Sequence, residues 1–407
     1  MLSSIMLVLK ELWKRVTRCD DIYDVLFPLH LATKPFAISP HSMIMDHLKK
    51  RKYSVSILGS CYSLVSIMLF TAYYVFAVEE RNRISYQETN KITNAIDAYQ
   101  LYGAVIVMIL AVVLNGLRQN TLIEAVSKID DIDAEFAHNR ISIEYKTSRN
   151  YIAVYVYCIQ LLFIGLEYMN CSMFLRQIFT LSDMCLLMCY LPLLVNGFVE
   201  CQFIIYLLLL RQRFSIINHE LECLSNVVLI GGKGVNRLIT LRRMHEDLCI
   251  SSRMINETFA LQILIIIGNT FVSFTTHAYY CFDGFVRISL EEPDKNVYNT
   301  ATTAAWTLFK LLQLFAVTFV CTSLTNEANS AKNFIYKIDR SRNQNISAQI
   351  TIFSKQIIHW DFKICAFGFF NLDLTLFYSA VASATAYLFI LLQLDIANRQ
   401  PENTIIQ

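Results

Sequence analysis

The stretch LTLFYSAVASATAYLFILLQL, residues 374–394, contains no Asp, Glu, Lys or Arg. A helix needs about 20 apolar residues to cross roughly 30 Å of hydrocarbon, and this stretch is long enough. Six further apolar stretches precede it, at residues 53–78, 98–117, 150–174, 184–210, 258–282 and 296–326. The sequence therefore predicts an all-α, polytopic membrane protein with seven transmembrane helices.

The composition supports the same class. Of the 407 residues, 55% are hydrophobic and 17% are charged, against roughly 25% charged in an ordinary soluble domain. The mean hydropathy is +0.42. These values exclude a soluble globular protein and a disordered chain. A net charge of +2 gives no sign of nucleic-acid binding.

The basic residues predict the orientation. Short loops rich in Lys and Arg stay in the cytoplasm. The four segments 1–52, 118–149, 211–257 and 327–363 hold 27 of the 35 basic residues, and the alternate segments hold seven. We therefore expect a cytoplasmic N-terminus and an extracellular C-terminus in the plasma membrane. This orientation is the reverse of a G-protein-coupled receptor.

The inner loops have a helical pattern. An amphipathic stripe recurs at three- and four-residue spacing in residues 235–248, at Val235, Leu238, Leu241, Met244 and Leu248. After Pro192 no further proline occurs before residue 228, so the fourth span is expected to continue into the cytoplasm as one helix. These features predict a cytoplasmic helical bundle built from extensions of the membrane helices.

The sequence contains fragments of catalytic and metal-binding motifs, but each lacks a required residue. His245-Glu246 lacks the second His, four residues on, of a zinc-protease helix. The acidic run 130–135 lacks the Gly and Glu of a calcium loop, so we predict a solvated helix face there. The sequence thus predicts no enzyme, no cofactor and no metal site. A disulfide among Cys171, Cys185 and Cys281 is left open.

The last apolar stretch ends with a lone amide, Gln393. Its polar atoms would lack partners in lipid, so it bonds to a neighbouring helix or faces water in a pore. Here the sequence resembles the C-terminal signature of insect gustatory receptors, which is Thr-Tyr, five hydrophobic residues, then Gln-Phe. This chain reads Ala386-Tyr387-Leu-Phe-Ile-Leu-Leu-Gln393-Leu394. Tyr387 and Gln393 keep the spacing, while Ala386 and Leu394 depart from the pattern.

The resemblance implies a ligand-gated, non-selective cation channel, a homotetramer or a heterotetramer with related receptors. Monovalent and divalent cations would pass a central pore lined by the seventh helix, at Tyr387, Ile390, Gln393 and Leu394. The chain then divides into a cytoplasmic segment (1–52), the ligand-sensing helices one to six with their extensions (53–350), a cytoplasmic helix with the pore helix (351–395) and an extracellular tail (396–407).

The outer halves of the spans are the expected place for a small-molecule ligand. Ligand sites combine aromatic walls with a few polar groups. We favour Trp306, followed by Tyr102, Gln160 and Thr303. The tyrosines nearer the water are better explained as an interfacial aromatic belt, namely Tyr99, Tyr168, Tyr279 and Tyr280.

Lys310 stands in the sixth span, where a charge costs about 2.5–3.5 kcal/mol on insertion scales. Glu200, at similar depth in the fourth span, is the predicted partner in an intramembrane charge pair.

Several functions remain open. The first hypothesis is a gustatory receptor channel opened by an extracellular tastant, either a sugar or a bitter compound. The alternatives are a co-receptor or modulatory subunit without its own tastant, and a channel of the odorant-receptor type.

Overall fold

The computed structural model describes residues 19–45, 50–84, 91–175, 190–226, 232–290, 293–338 and 344–399. Ten helices and four short strands lie in these ranges. In chain order they are α1 (Ile22–Thr33), β1 (Ser42–Met45), β2 (Arg51–Ser54), α2 (Ile57–Ile84), α3 (Lys91–Leu117), α4 (Gln119–His138), α5 (Tyr145–Leu175), α6 (Leu191–Asn226), α7 (Gly232–Leu290), α8 (Pro293–Ile335), α9 (Gln344–Trp360), β3 (Cys365–Ala366), β4 (Phe370–Asn371) and α10 (Leu374–Arg399).

The number of membrane helices agrees with the prediction. Helices α2, α5, α6, α7, α8 and α10 are each long and apolar enough to span, and the bent pair α3 and α4 supplies a seventh span when it is counted as one. The all-α polytopic fold is therefore confirmed. One boundary was wrong: the first span begins at Ile57 and not at Tyr53, because Tyr53 pairs with Met43 in the hairpin of β1 and β2.

Three helices are much longer than a bilayer is thick. Helix α7 has 59 residues, which at 1.5 Å each gives about 89 Å, roughly three times the hydrocarbon core. Helices α6 and α8 have 36 and 43 residues. The fourth span thus continues unbroken to Asn226, as predicted, with Pro192 in the first turn where a proline is tolerated.

The extensions pack into a bundle, and the predicted stripe of α7 is its buried side. Leu238, Leu241, Met244 and Leu248 are buried, and Val235 is partly buried. They share one core with residues of α4, α6 and α9. The predicted bundle of helix extensions is therefore confirmed.

His245, on the same stretch of α7, is a packing residue of this bundle. Its ring lies edge-on between Phe214 of α6 and Phe353 of α9, with centroids 5.2 Å and 5.3 Å away. Its Nε2–H donates to the carbonyl oxygen of Ala328 at 3.0 Å. Burial lowers the pKa of His245 to about 4, so the imidazole is neutral and joins α6, α8 and α9 around α7.

The acidic run on α4 corrects one prediction. Asp133 is buried and accepts two hydrogen bonds from the fully buried Arg213 of α6, at 3.1 Å and 2.7 Å. The hydroxyl of Tyr145 donates to the same carboxylate at 3.0 Å. The expected solvated face was wrong at Asp133, because a paired arginine compensates the carboxylate for its loss of water.

The N-terminal segment covers part of the helix bundle. Helix α1 contacts α4 and α5, and the ring of Phe36 stacks on Phe198 of α6 at 5.4 Å. Gln202 of α6 donates to the hydroxyl of Ser39 at 2.9 Å. A buried ion pair, Arg51 to Asp24 at 3.0 Å, joins the hairpin to α1. This segment is thus an integral layer against α6.

Helix α10 is attached differently. Asp373 caps its first turn by accepting from the N–H groups of Thr375 at 2.9 Å and Leu376 at 3.2 Å. The N–H of Leu374 donates to Thr322 of α8 at 3.1 Å. Beyond this anchor α10 lies along α7 and α8, and only 6% of its most apolar stretch is buried within the subunit.

Candidate functional site

The predicted pore residues lie on one exposed face of α10. Tyr387, Ile390, Gln393 and Leu394 are spaced at three- and four-residue intervals, so they share a side of the helix. All four are exposed in the isolated subunit. The ring of Tyr387 touches its own subunit through an edge contact to Phe271 of α7, with centroids 6.1 Å apart. The face is therefore open to other subunits, water or lipid.

The predicted ligand residue Trp306 lies inside the subunit. Its side chain is 3% exposed and packs where α5, α7 and α8 converge. The ring of His277 stacks on it at 5.7 Å and 15°, and Phe309 meets it edge-on at 5.9 Å. Phe163 of α5 lies 6.4 Å away. We call Phe163, His277, Trp306 and Phe309 the aromatic cluster.

A glycine of α6 makes room for this cluster. A Cβ at Gly197 would lie 2.7 Å from Cε2 of Phe163, which is closer than real Cβ atoms approach. The absence of a side chain therefore lets the Phe163 ring lie against the α6 backbone.

Buried polar atoms surround the cluster without hydrogen-bond partners among the described residues. They are the indole Nε1 of Trp306, the hydroxyl of Tyr190 and both amide atoms of Gln160. Tyr190 packs against the cluster, and Gln160 precedes Phe163 by one turn of α5. Leaving such groups unpaired costs about 1–3 kcal/mol each, so they favour a ligand with complementary donors and acceptors.

The other two predicted ligand residues have different surroundings. Tyr102 of α3 is exposed, and its ring contacts Tyr74 of α2 edge-on at 6.4 Å. The hydroxyl of Thr303 donates to carbonyl oxygens of its own helix, at Asn299 and Thr300. Of the predicted ligand residues, the structure thus places Trp306 in the aromatic cluster. Thr303 lies one turn before Trp306 on α8, and Gln160 lies one turn before Phe163 on α5.

The predicted charge pair is linked by a third residue. The ammonium of Lys310 donates to Oε1 of Gln313 at 3.1 Å, and the amide of Gln313 donates to the carboxylate of Glu200. Lys310 and Glu200 are 4% and 5% exposed. Gln313 therefore lies between the two charges, and a cavity of about 10 Å³, room for about one water, adjoins Glu200 and Gln313.

Lys310 also joins this chain of polar groups to the aromatic cluster. Its Nζ lies 5.8–5.9 Å from the ring centroids of Trp306, Phe163 and Phe309. A cation at this distance is attracted by the ring quadrupoles, most strongly by tryptophan. The ligand residue Trp306 and the charge Lys310, predicted separately, are neighbours in one polar and aromatic centre.

Sequence reasoning missed four residues of this centre: Phe163, Tyr190, His277 and Gln313. His277 carried a signal, since an imidazole inside an otherwise uncharged span marks a functional position by default. The phenylalanine carried none, because an apolar residue in an apolar span has no distinguishing pattern. Cys281 is a free thiol. The other two cysteines of the open disulfide question, Cys171 and Cys185, have side chains outside the described residues.

Comparison with known proteins agrees with this architecture. The profile described as "7tm Chemosensory receptor" matches residues 6–398. Gustatory receptor 2a of Drosophila melanogaster is 25% identical to this chain, over 92% of this chain and 96% of its own length. The gustatory receptor for bitter taste 66a of the same organism is 26% identical over 46% of this chain and 35% of its own length.

A solved structure has the same fold. The insect olfactory receptor OR5 from Machilis hrabei, in complex with eugenol, matches with a TM-score of 0.67 at 11% identity, covering 91% of this chain and 97% of that one. The predicted resemblance to insect gustatory receptors is confirmed by the profile and the sequence relatives. Because the profile covers nearly the whole length, the chain belongs to the 7tm chemosensory receptor family.

Proposed function

We propose that this protein is a gustatory receptor of the plasma membrane that acts as a ligand-gated, non-selective cation channel, opened by an extracellular small molecule. Helix α10 carries the proposal, because a spanning helix with a polar face at Tyr387 and Gln393 is almost bare within its subunit. An amide has no partners in lipid, so this face favours a water-filled axis shared by four copies. Monovalent and divalent cations would be the permeants.

The proposed topology places the N-terminus in the cytoplasm and the C-terminus outside. The concentration of 27 of 35 basic residues on one side supports it. With this orientation the bundle of α4, α6, α7 and α9 is cytoplasmic. The aromatic cluster would then lie in the outer half of the membrane, where an external compound can reach it.

The pore is tested by recording currents in a heterologous cell that expresses Gln393→Ala or Gln393→Glu. We expect Glu to raise the permeability of divalent over monovalent cations, because a ring of carboxylates attracts divalent ions. Ala should change conductance and gating. Thr385→Val, two turns earlier on α10 with a hydroxyl that bonds back to Val381, is the matched control. Unchanged permeation and gating in both Gln393 variants would remove this residue from the pore.

The ligand site is tested by Gln160→Met, which keeps the volume and removes the unpaired amide. If a tastant bonds to this amide, its potency should fall by about five-fold or more, since the lost bond is worth about 1–3 kcal/mol. Thermal stability should rise or stay the same, because a buried unsatisfied group disappears. Tyr157→Phe, one turn away on the exposed side of α5, is the control. Unaltered potency at normal surface expression would place the ligand elsewhere.

Trp306→Phe sharpens the same test. Alanine would leave a cavity at a residue with 3% exposure and cost about 3–5 kcal/mol, which would confuse folding with binding. Phenylalanine keeps a ring against His277 and removes the indole N–H. We expect a loss of potency with surface expression close to wild type.

A co-receptor or modulatory subunit is the second candidate, and an odorant-receptor-type channel is the third. Expression of this chain alone with a panel of sugars and bitter compounds separates the first proposal from the co-receptor. A current evoked by a tastant in the absence of other receptors supports the first proposal. The relative named for bitter taste makes bitter compounds the first panel to test.

A further inference from the structure

A polar cleft of about 610 Å³ lies between the segment that follows α4 and the middle of α6. Its lining shares no residue with the aromatic cluster and includes none of the predicted pore or ligand residues. Its lining includes Arg140, Ser142, Leu208, Arg211, Ser215 and His219. The lining carries two guanidinium groups and an imidazole together with two hydroxyls.

The arginines of the cleft are not neutralised within the described part of the chain. The guanidinium groups of Arg140 and Arg211 have no hydrogen-bond or ion-pair partner there, and both residues are exposed. Glu220, the acid of the lining, is bound by Arg237. Asp133, the nearest buried acid on α4, is bound by Arg213. The cleft therefore keeps about two positive charges for an anion.

The backbone at Arg140 has a conformation that ordinarily favours glycine. Helix α4 ends with bonds from the N–H of Arg140 to Ala137 at 3.0 Å and from the N–H of Ile141 to Phe136 at 2.9 Å. This pattern places the residue after the cap in the left-handed region, and Arg140 has φ 60°. Glycine is the usual residue there, because a side chain is strained at positive φ. Arg140 therefore carries backbone strain that a glycine would avoid, and it places a guanidinium group at the cleft.

The cleft crosses the boundary between the apolar and charged parts of α6. Residues 201–210 contain no charge, and Arg211 is the first charged residue after them. Leu208 faces outward before this boundary, while His219 lies about 12 Å beyond Arg211 along the helix. The α6 side of the cleft thus begins at an apolar side chain and is cationic one turn later, at Arg211.

We propose that this cleft binds the phosphorylated headgroup of an anionic lipid, with Arg140 and Arg211 on the phosphate groups and the acyl chains beside Leu208. Guanidinium groups suit phosphate oxygens because they donate in a bidentate geometry. The leaflet facing the cytoplasm is the one expected from the proposed topology. A soluble inositol phosphate shares the headgroup chemistry but lacks the acyl chains that Leu208 would contact.

The test uses the purified full-length chain in nanodiscs and measures lipid binding directly, so it does not depend on channel activity. Phosphatidylcholine discs with phosphatidylinositol bisphosphate are compared with discs in which phosphatidylserine supplies the same total charge. We expect tighter binding of the bisphosphate lipid, reduced about five-fold for each arginine in Arg140→Gln and Arg211→Gln. Arg243→Gln, an exposed arginine of the bundle outside the cleft, should bind like wild type.

Two further results decide the assignment. Arg140→Gly should bind the lipid about five-fold more weakly while its melting temperature rises, because the left-handed strain is removed with the charge. Unchanged lipid affinity in Arg140→Gly would overturn the proposal. Equal binding of the bisphosphate and serine lipids would also overturn it, as would soluble inositol trisphosphate binding as tightly as the lipid.

Discussion

Helices α6 and α10 are both apolar enough to span a membrane, yet their surroundings are opposite. Of the most apolar stretch of α6, 89% is buried within the subunit, whereas for α10 the share is 6%. Apolar composition shows that a helix avoids water, but it does not distinguish protein neighbours from lipid or from other subunits. The difference separates a helix whose neighbours lie within the subunit from one whose surface is left to lipid, water or other subunits.

The polar residues of the two helices follow the same division. On α6, Asn196 donates to the carbonyl of Ala104 at 3.0 Å, Gln202 bonds to Ser39, and Arg213 pairs with Asp133. On α10, Gln393 is exposed. Satisfied polar groups on α6 fix its neighbours, while the amide of α10 lies on the surface of the isolated subunit.

The largest expected effect comes from phenylalanines on the two helices. Phe203 of α6 is fully buried, so Phe203→Ala should lower the free energy of unfolding by about 3–5 kcal/mol. Phe389 of α10 is 62% exposed, so Phe389→Ala should change it by less than about 0.5 kcal/mol. Thermal unfolding of the dispersed subunit in detergent measures both values.

Chemical cross-linking in membranes measures how much tetramer each of these two variants forms. If Phe389 faces another copy, its alanine variant should give less tetramer at equal expression. Equal destabilisation of the dispersed subunit by the two substitutions would break the contrast between the helices.

The next effect, of intermediate size, is a dependence of stability on pH that tests the N-terminal segment packed against α6. His30 and His41 of the N-terminal segment are buried, with ring centroids 5.0 Å apart. Burial lowers the pKa of His30 from 6.5 to about 4 and that of His41 well below 6.5. Between these values the unfolded chain binds more protons, so stability is complete above pH 6.5 and falls as the pH drops towards 4.

For His30 alone the loss should reach about 2–3 kcal/mol near pH 4. Melting temperatures from pH 7.5 to pH 4.5 measure it. His41→Phe should weaken the dependence, whereas the exposed His359→Gln should leave it intact. A flat profile for the wild-type protein would mean that this layer does not depend on neutral histidines.

The sequence predicted the helices of both regions well but not the contacts between distant residues, and the reason is physical. Length, charge-free runs and helical periodicity predicted the spans, the continuous α6 and the buried stripe of α7, because each is a local property of the chain. The pairing of Asp133 with Arg213 was not predictable, since 80 residues separate the partners and neither carries a local pattern. The same holds for Phe163 and Gln313, which enter the polar and aromatic centre only through packing of three helices.

The smallest expected effect comes from two glutamines: Gln313, which bonds to α6, and Gln393 of α10. Gln313 links Lys310 to Glu200, which is on α6, so Gln313→Leu should leave two buried charges less well bonded and cost about 1–2 kcal/mol. Gln393→Leu removes an amide that is exposed in the isolated subunit, so the stability of the dispersed subunit should not change. Its effect should instead be on current, because leucine would extend the hydrophobic ring of Ile390 and Leu394 and favour a dewetted, closed pore. If Gln393→Leu destabilised the dispersed subunit as much as Gln313→Leu, the α10 amide would be an ordinary interhelical bond and the pore would have to be sought on another face.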